Sequence, residues 1–278
     1  MINWRMKELG VRILLCHLML LNPSSAFATE CDQWQQKHPE WIWCDSFETV
    51  DPLRSRYEDV STNGLSRSTM DAFEGSAALQ QAYNIGQVEA GWLIKVKPEG
   101  YPQHIFYRWY HKFGPGYTSL PPKMARAGFR DRNSWQDIFK VHTWIANNAP
   151  ALDVLAIQSS HGPWLPIAHT SFNLLKNLDQ WVYFEVEIKL NTAGKSDGLY
   201  RMWVNDKLEV ERTNVDLRGN TNLPINEVTL DTYWNGGAPT NLVRYYDNFV
   251  IATQRIGPLQ NQLSPPLPPS ALGATQLQ

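Results

Sequence analysis

Several features are scarce or missing in this chain of 278 residues, and each absence excludes a class of protein. The net charge is only −2, so no strongly basic face for nucleic acid is expected. No phosphate-binding loop, dinucleotide fingerprint or Gly-x-Ser-x-Gly elbow occurs, which argues against nucleotide enzymes and Ser–His–Asp hydrolases. No segment after the N-terminal region could cross a bilayer as a helix.

Residues 1–28 have the pattern of a signal peptide. A positively charged start precedes the short apolar run 13–21, and Ala26-Phe27-Ala28 forms a small-x-small cleavage site. Cleavage after Ala28 would leave 22 basic and 26 acidic residues, a net charge of −4. We therefore expect a secreted or periplasmic protein without a membrane span once the signal has been removed.

Cysteine is also scarce, with three residues in the chain. Cys16 leaves with the signal peptide, so Cys31 and Cys44 would be the only cysteines of the mature protein. In an exported protein such a pair predicts a disulfide, here closing an N-terminal loop over residues 31–44. A metal-binding pair is the alternative, although companion ligands at suitable spacing are missing.

Strand-like runs dominate the rest of the chain, and turn residues separate them. One domain is expected over residues 29–258, followed by a Pro-rich, disordered tail over 259–278. The only predicted helix is Asp32–His38. The predicted strands are Ile105–Phe113, Gln136–Ile145, Val154–Gln158, Trp181–Leu190, Leu199–Val204, Glu227–Trp234 and Val243–Ile251.

Alternation along three of these strands predicts a core face and a polar, aromatic second face, because successive side chains point to opposite sides of a sheet. A plain solvent face is one interpretation, since antiparallel sandwiches commonly have one. Arg, Tyr, His and Trp together favour a binding groove instead. The second faces contain Phe106, Arg108, Tyr110 and Lys112; Gln136, Lys140, His142 and Trp144; and Asp231, Tyr233 and Asn235.

Four strings along the chain resemble a known family. They are Ile42-Trp43-Cys44-Asp45-Ser46-Phe47-Glu48, Phe73-Glu74-Gly75-Ser76-Ala77-Ala78-Leu79, the stretch from Lys189 to Asp206, and Tyr245-Tyr246-Asp247-Asn248-Phe249-Val250-Ile251. Together they resemble concanavalin A-like (LamG-like) jelly rolls of the heparin-lyase-I-like polysaccharide lyase group. The resemblance implies an all-β sandwich of two antiparallel sheets with a concave face for a glycan. It specifies activity poorly, because folds host many functions.

Lyases of this group cleave uronic-acid polymers by β-elimination, so the resemblance implies three chemical roles. A positive or amide group neutralises the carboxylate, a base takes the C5 proton, and an acid protonates the leaving oxygen. His142 is the predicted base, Arg108 the carboxylate clamp, and Tyr110 or Tyr233 the proton donor. The predicted substrate contacts are Gln136, Lys140, Trp144, Lys112, Asp231 and Asn235.

Each assignment has a structural alternative. His142 would be an exposed strand histidine without a chemical role, and Arg108 would pair with a carboxylate such as Asp231. In related jelly rolls an acidic residue of the first strand and an aspartate of the last strand hold a structural Ca²⁺. Glu48 and Asp247 match those positions, although Asp247 could instead bridge within the sheet. No organic cofactor is expected.

The expected protein is a monomeric lyase acting on an acidic polysaccharide. A non-catalytic carbohydrate-binding or adhesion module of the same fold is the competing hypothesis, since it needs an aromatic groove and no base. A retaining glycoside hydrolase is less favoured, because Glu185-Val186-Glu187 lacks the third acid of the pattern Glu-x-Asp-x-x-Glu.

Overall fold

The computed structural model describes residues 28–121, 123–145, 151–159 and 162–259. The predicted signal peptide and the Pro-rich tail therefore lie outside the described residues, apart from Ala28 and Leu259. Within the described ranges no helix is long and apolar enough to span a membrane.

The described residues form short helical turns and fifteen strands. Helix α1 covers Trp34–Lys37, inside the predicted Asp32–His38, and two 3₁₀ turns cover Leu53–Ser55 and Leu174–Asn177. The strands are β1 (Trp41–Asp45), β2 (Asp59–Ser61), β3 (Leu65–Ser68), β4 (Ala78–Tyr83), β5 (Trp92–Val96), β6 (His104–Phe113), β7 (Lys123–Asp131), β8 (Gln136–Ile145), β9 (Leu152–Ile157), β10 (Leu165–His169), β11 (Val182–Lys189), β12 (Gly198–Val204), β13 (Lys207–Val215), β14 (Glu227–Leu230) and β15 (Leu242–Ala252).

Two antiparallel sheets contain these strands. Sheet A has the order β13-β12-β11-β6-β15-β4-β3, with β1 also paired to β15. Sheet B has the order β10-β9-β8-β7-β14-β5-β2. Neighbours distant in sequence, such as β6 beside β15 and β7 beside β14, give the crossed connections of a jelly roll. The predicted concanavalin A-like sandwich is confirmed.

The core lies between the two sheets and follows the predicted alternation. Tyr107 and Trp109 of β6 face Phe139 and Val141 of β8 within one buried apolar cluster. Large flat rings fill the wide space between sheets, and Trp109 stacks on Phe184 with ring centroids 5.3 Å apart. The alternate residues of β6 and β8 consequently lie on opposite outer faces of the sandwich.

The N-terminal segment covers part of the outer face of sheet A. Cys31 and Cys44 form the predicted disulfide, with Cα atoms 5.4 Å apart. A small apolar cluster of Trp41, Cys44, Val250 and Ala252 lies beneath this loop. The segment before β1 is thereby attached to β15.

Candidate active site on the outer face of sheet B

The outer face of sheet B concentrates cationic and aromatic side chains on β7, β8 and the end of β14. Strand β7 lies between β8 and β14, which brings Arg126 opposite both His142 and Thr229 in register. Asp231 and Tyr233 follow the last residue of β14 in the chain and lie on the same face as Arg126. This arrangement unites the predicted residues Lys140, His142, Trp144, Asp231, Tyr233 and Asn235 on one face.

Two cavities open on this face. The basic cavity, of about 200 Å³, is lined by Glu89, Trp92, Ile94, Lys123, Arg126, Arg130, Asp231 and Tyr233. The tryptophan cavity, of about 390 Å³, is lined by Trp144, Asp153, Leu155, Trp164 and Asn235. Lys123 lies between the two cavities, since its Nζ is 4.3 Å from the ring centroid of Tyr233 in the basic cavity and 5.6 Å from that of Trp144 in the tryptophan cavity.

Lys123 has no ion pair or hydrogen bond from its Nζ to any residue that the structure describes. Its ammonium group contacts the faces of Tyr233 and Trp144, where cation–π attraction holds it. Burial lowers the pKa of Lys123, although Asp231 opposes the shift. A lysine in this environment more readily releases its proton and becomes a neutral amine.

The other cations of the face are fixed by carboxylates. Arg126 donates to Asp231 Oδ2, and Arg130 Nε lies 2.9 Å from Asp137 Oδ1. Lys140 also donates to Asp137. Burial raises the pKa of Asp231, but Arg126 and Lys123 more than offset it, so the net pKa is lowered and the carboxylate stays charged. The network therefore presents fixed positive groups to the basic cavity.

His142 lies beneath these cations and is only 1% exposed. Its ring packs near those of Trp164 and Trp144, at centroid distances of 5.0 and 5.8 Å. Neither ring nitrogen has a hydrogen-bond partner among the described residues. Burial, reinforced by the charges of Arg126, Lys140, Lys123 and Arg130, lowers the pKa of His142 well below its ordinary value, so the imidazole is neutral.

Three predicted site residues lie elsewhere, which corrects their predicted placement. Arg108, Tyr110 and Lys112 of β6 belong to the outer face of sheet A, on the far side of the core from His142. The N-terminal and C-terminal segments cover them there, so Arg108 is 1% exposed and donates to Glu30 and to Gly257 O. Arg108 pairs with a carboxylate, as the structural alternative held, but with Glu30 instead of Asp231.

Tyr110 and Lys112 are similarly engaged. The hydroxyl of Tyr110 accepts a hydrogen bond from Leu259 N at 2.8 Å. Lys112 Nζ lies 2.7 Å from Asp71 and 2.9 Å from Asp179. Gln136 is on β8 but at its exposed first position, opposite Asp131 and away from the two cavities.

Sequence reasoning missed the cations of β7 and two tryptophans. Lys123, Arg126 and Arg130 belong to a segment in which no strand was predicted. Trp92 begins the short strand β5, and Trp164 directly precedes the short strand β10. The alternation Arg126-x-Gly128-x-Arg130 was the available signal for a polar strand face.

Glu48 and Asp247, the two predicted calcium ligands, both accept hydrogen bonds from backbone N–H groups. Glu48 accepts hydrogen bonds from Ser76 N and Ala77 N, at 2.7 and 2.8 Å. Asp247 accepts from Phe73 N and Asn248 N, at 2.9 and 2.8 Å. Both carboxylates thus hold backbone N–H donors, which cannot ligate a cation, and no set of three metal-binding side chains occurs among the described residues. The structural Ca²⁺ at Glu48 and Asp247 stays a prediction.

Comparisons with known proteins agree with this architecture. The model of the family Polysaccharide lyase 14 matches residues 159–249, the part of the chain that contains Asp231 and Tyr233. Among curated proteins, none matches the sequence. The sequence similarity thus covers about a third of the chain.

Solved structures extend the likeness to nearly the whole domain. The PL-14 alginate lyase from Aplysia kurodai has 13% identity and a TM-score of 0.62, covering 77% of this chain and 99% of its own. Alginate lyase vAL-1 from Chlorella virus has 16% identity and a TM-score of 0.57, covering 80% and 96%. The endo-β-1,4-glucuronan lyase from Trichoderma reesei has 16% identity and a TM-score of 0.50, covering 77% and 91%. The chain is similar in sequence to polysaccharide lyase 14 over residues 159–249 and shares the jelly-roll fold of lyases of this group.

Proposed function

We propose that this protein is a polysaccharide lyase that cleaves a uronic-acid-containing glycan by β-elimination on the outer face of sheet B. The observation that supports it most is Lys123, a cation without a carboxylate partner among the described residues, placed at 4.3 Å from the ring of Tyr233. The similarity to alginate and glucuronan lyases supports the substrate class.

The fixed cations provide the first of the three chemical roles. Arg126 and Arg130 line the basic cavity. Lys140 lies beside them, since it and Arg130 both donate to the carboxylate of Asp137. A uronate carboxylate bound there would have its charge neutralised, which makes the neighbouring C5 proton more acidic. Since the arginines are already held in place by carboxylates, little reorganisation is needed when the substrate binds.

Lys123 and Tyr233 provide the two proton transfers. The neutral amine of Lys123 takes the C5 proton, the C–H electron pair forms the C4=C5 double bond, and the C4–O bond breaks. Tyr233, a residue that is 38% exposed, donates its hydroxyl proton to the leaving oxygen. The ammonium of Lys123 then returns a proton to Tyr233, which restores both groups.

His142 is the alternative base. It lies on the correct face, but both ring nitrogens are buried and the surrounding cations oppose its protonation. A bound uronate would offset those positive charges and make His142 more basic. We therefore keep His142 in the test beside Lys123.

The decisive experiment follows the ultraviolet absorbance of unsaturated uronate during incubation with alginate, glucuronan, heparin and pectin. The native protein should give a rise on at least one polymer, and Lys123→Met and Tyr233→Phe should each reduce the rate by 10²-fold or more, roughly the contribution of one acid–base group. Lys189→Met, an exposed lysine of sheet A, is the matched control and should keep full activity.

Two outcomes would change the assignment. If His142→Gln abolished the absorbance rise and Lys123→Met did not, His142 would be the base. If no polymer gave a rise, the lyase proposal would fail. Glycan binding without cleavage would then favour the non-catalytic module, for which the Trp144–Trp164 pair, with centroids 5.3 Å apart and Trp164 42% exposed, is the supporting observation.

Export to an oxidising compartment is the second part of this proposal. The Cys31–Cys44 disulfide supports it, because such bonds persist mainly in secreted and periplasmic proteins. Fractionation of the producing cells and mass measurement of the secreted form would test both the location and the cleavage after Ala28.

A further inference from the structure

A second cavity with carbohydrate-binding character lies on the outer face of sheet A, across the core from the candidate active site. This aromatic pocket has a volume of about 250 Å³ and is lined by Phe73, Tyr110, Trp181, Tyr183, Asn205, Asp206 and Pro258. Neither the lyase proposal nor the similarity to known lyases gives it a role.

The rings of the aromatic pocket are held rigidly. Phe73 stacks on Tyr110 with centroids 3.5 Å apart, and it meets Trp181 edge-on at 5.9 Å. Tyr110 and Tyr183 are neighbours at 5.6 Å across strands β6 and β11. Trp181 Nε1 donates to Asp71 Oδ1 at 3.1 Å, which fixes the indole plane. Phe73 and Trp181 remain partly exposed, so each offers ring surface to a ligand.

The rim of the pocket carries polar atoms that the protein does not use. Asn205 Oδ1 accepts from Tyr183 N at 3.1 Å, and its Nδ2 has no partner among the described residues. Asp206 contacts Arg255 through Oδ1, which leaves Oδ2 available. The hydroxyl of Tyr110 accepts from Leu259 N and is free to donate. The rim thus offers two donors and one acceptor above a floor of rings.

The charges around the pocket argue against an acidic ligand. Lys112 is paired with both Asp71 and Asp179. Arg255 is paired with Asp206 at 2.5 Å and lies 3.7 Å from Glu185. Each of these cations therefore has two carboxylates beside it, whereas on sheet B Arg130 and Lys140 share the carboxylate of Asp137. The aromatic pocket thus has no surplus positive charge to compensate the desolvation of a uronate.

From these contacts we infer that the aromatic pocket binds a neutral pyranose unit of a glycan, as a second carbohydrate site on the opposite sheet from the basic cavity. The apolar face of a pyranose would stack on Trp181 and Phe73. Its hydroxyls would exchange hydrogen bonds with Asn205, Asp206 and Tyr110. The site would hold a neutral polymer while the other sheet works on an acidic one.

Isothermal titration of the full mature protein with cellohexaose, laminarihexaose and mannohexaose tests this inference. At least one of these neutral oligosaccharides should bind at millimolar concentration. Trp181→Ala should weaken that binding by about tenfold or more, as expected when a tryptophan that forms the pocket is truncated. Trp135→Ala, which removes an exposed tryptophan of the β7–β8 turn, is the matched control and should change nothing.

A milder variant keeps the inference falsifiable if Trp181→Ala does not fold. Asn205 has φ 48° in the β12–β13 turn, a conformation that Asp also tolerates. Asn205→Asp keeps the Oδ1 acceptor for Tyr183 N, but it replaces the Nδ2 donor with an acceptor and adds a negative charge beside Asp206. Binding should therefore weaken severalfold in a protein that still folds. No binding of any of the three probes, or equal binding by the native protein and both variants, would overturn the inference. Lyase activity is not part of this readout, so the two proposals fail independently.

Discussion

The charged residues of the candidate active site differ mainly in whether a carboxylate of the protein is paired with them. Lys123 lacks a carboxylate partner among the described residues, and burial lowers its pKa from the ordinary lysine value. A base is active when deprotonated, so kcat/KM should fall as the pH drops through the pKa of Lys123. This decrease at low pH should be centred below the ordinary lysine pKa and should be absent in Lys123→Met. A pH–rate profile of unsaturated uronate formation measures it.

The same profile separates the two candidate bases. His142 has a pKa well below the ordinary histidine value. A limb in the acidic range that disappears in His142→Gln, with the lysine limb absent, would contradict the role of Lys123.

At this scale the buried Glu30–Arg108 pair gives a second prediction, on stability. Arg108 is 1% exposed, so Glu30→Gln would leave a buried positive charge without its partner. We expect a loss of about 3–5 kcal/mol in the free energy of unfolding. The double variant Glu30→Gln/Arg108→Met should be less destabilised than Glu30→Gln alone, because it removes the uncompensated charge as well.

Urea unfolding of the three proteins measures this difference. The matched control is Glu211→Gln, whose partner Arg201 is solvent-accessible and whose loss should cost less than about 1 kcal/mol. Equal destabilisation by Glu30→Gln and Glu211→Gln would mean that Arg108 finds water or another partner.

Among the strands, β7 is one that its sequence did not predict. Its inward positions include the small residues Ala125 and Ala127, and its outward positions alternate Arg126, Gly128 and Arg130. Ala, Gly and charged residues are poor strand formers, so propensity gives little signal there. Pairing with β8 and β14 supplies the stability of the strand instead, and that pairing is a long-range property.

The strands β6 and β8 show the opposite case. Their β-branched and aromatic alternation predicted both elements and both of their faces correctly. It placed Lys140, His142 and Trp144 together, yet it also added Arg108 to the same groove. Alternation identifies the two faces of one strand, but it carries no information on which sheet the strand joins or what later covers it. The disulfide loop and the C-terminal segment covered Arg108.

Gly128 makes the approach of β7 to β8 testable. A Cβ at Gly128 would lie 2.3 Å from Phe139 O and 2.7 Å from Lys140 Cα, both backbone atoms that cannot move aside. We expect Gly128→Ala to destabilise the protein by about 1–3 kcal/mol and to reduce activity, since β8 carries Lys140 and His142. A Cβ at Gly236 would meet nothing within 4 Å, so Gly236→Ala is the control and should be nearly neutral. Melting curves and lyase rates of both variants decide whether the close approach matters.

The whole molecule carries two different surfaces on the outer faces of its two sheets. The net charge of the chain is −2, so long-range attraction of a polyanion would have to come from the cations of sheet B. Interactions between exposed charges are screened beyond about 10 Å at 0.1 M salt. The KM for a polyuronate should therefore rise with ionic strength, while kcat changes less, because the contacts made inside the basic cavity are short.

The aromatic pocket of sheet A supplies an internal reference for this measurement. Its nearby cations are paired, and stacking on Trp181 involves no net charge, so the Kd for a neutral hexasaccharide should stay constant over the same salt range. Parallel salt dependence at both sites would point to a general effect of salt on the protein. A KM that did not change with salt would mean that Arg126, Arg130 and Lys123 do not face the substrate. Only a rise in KM with a constant Kd agrees with one sheet that binds acidic chains and another that binds neutral ones.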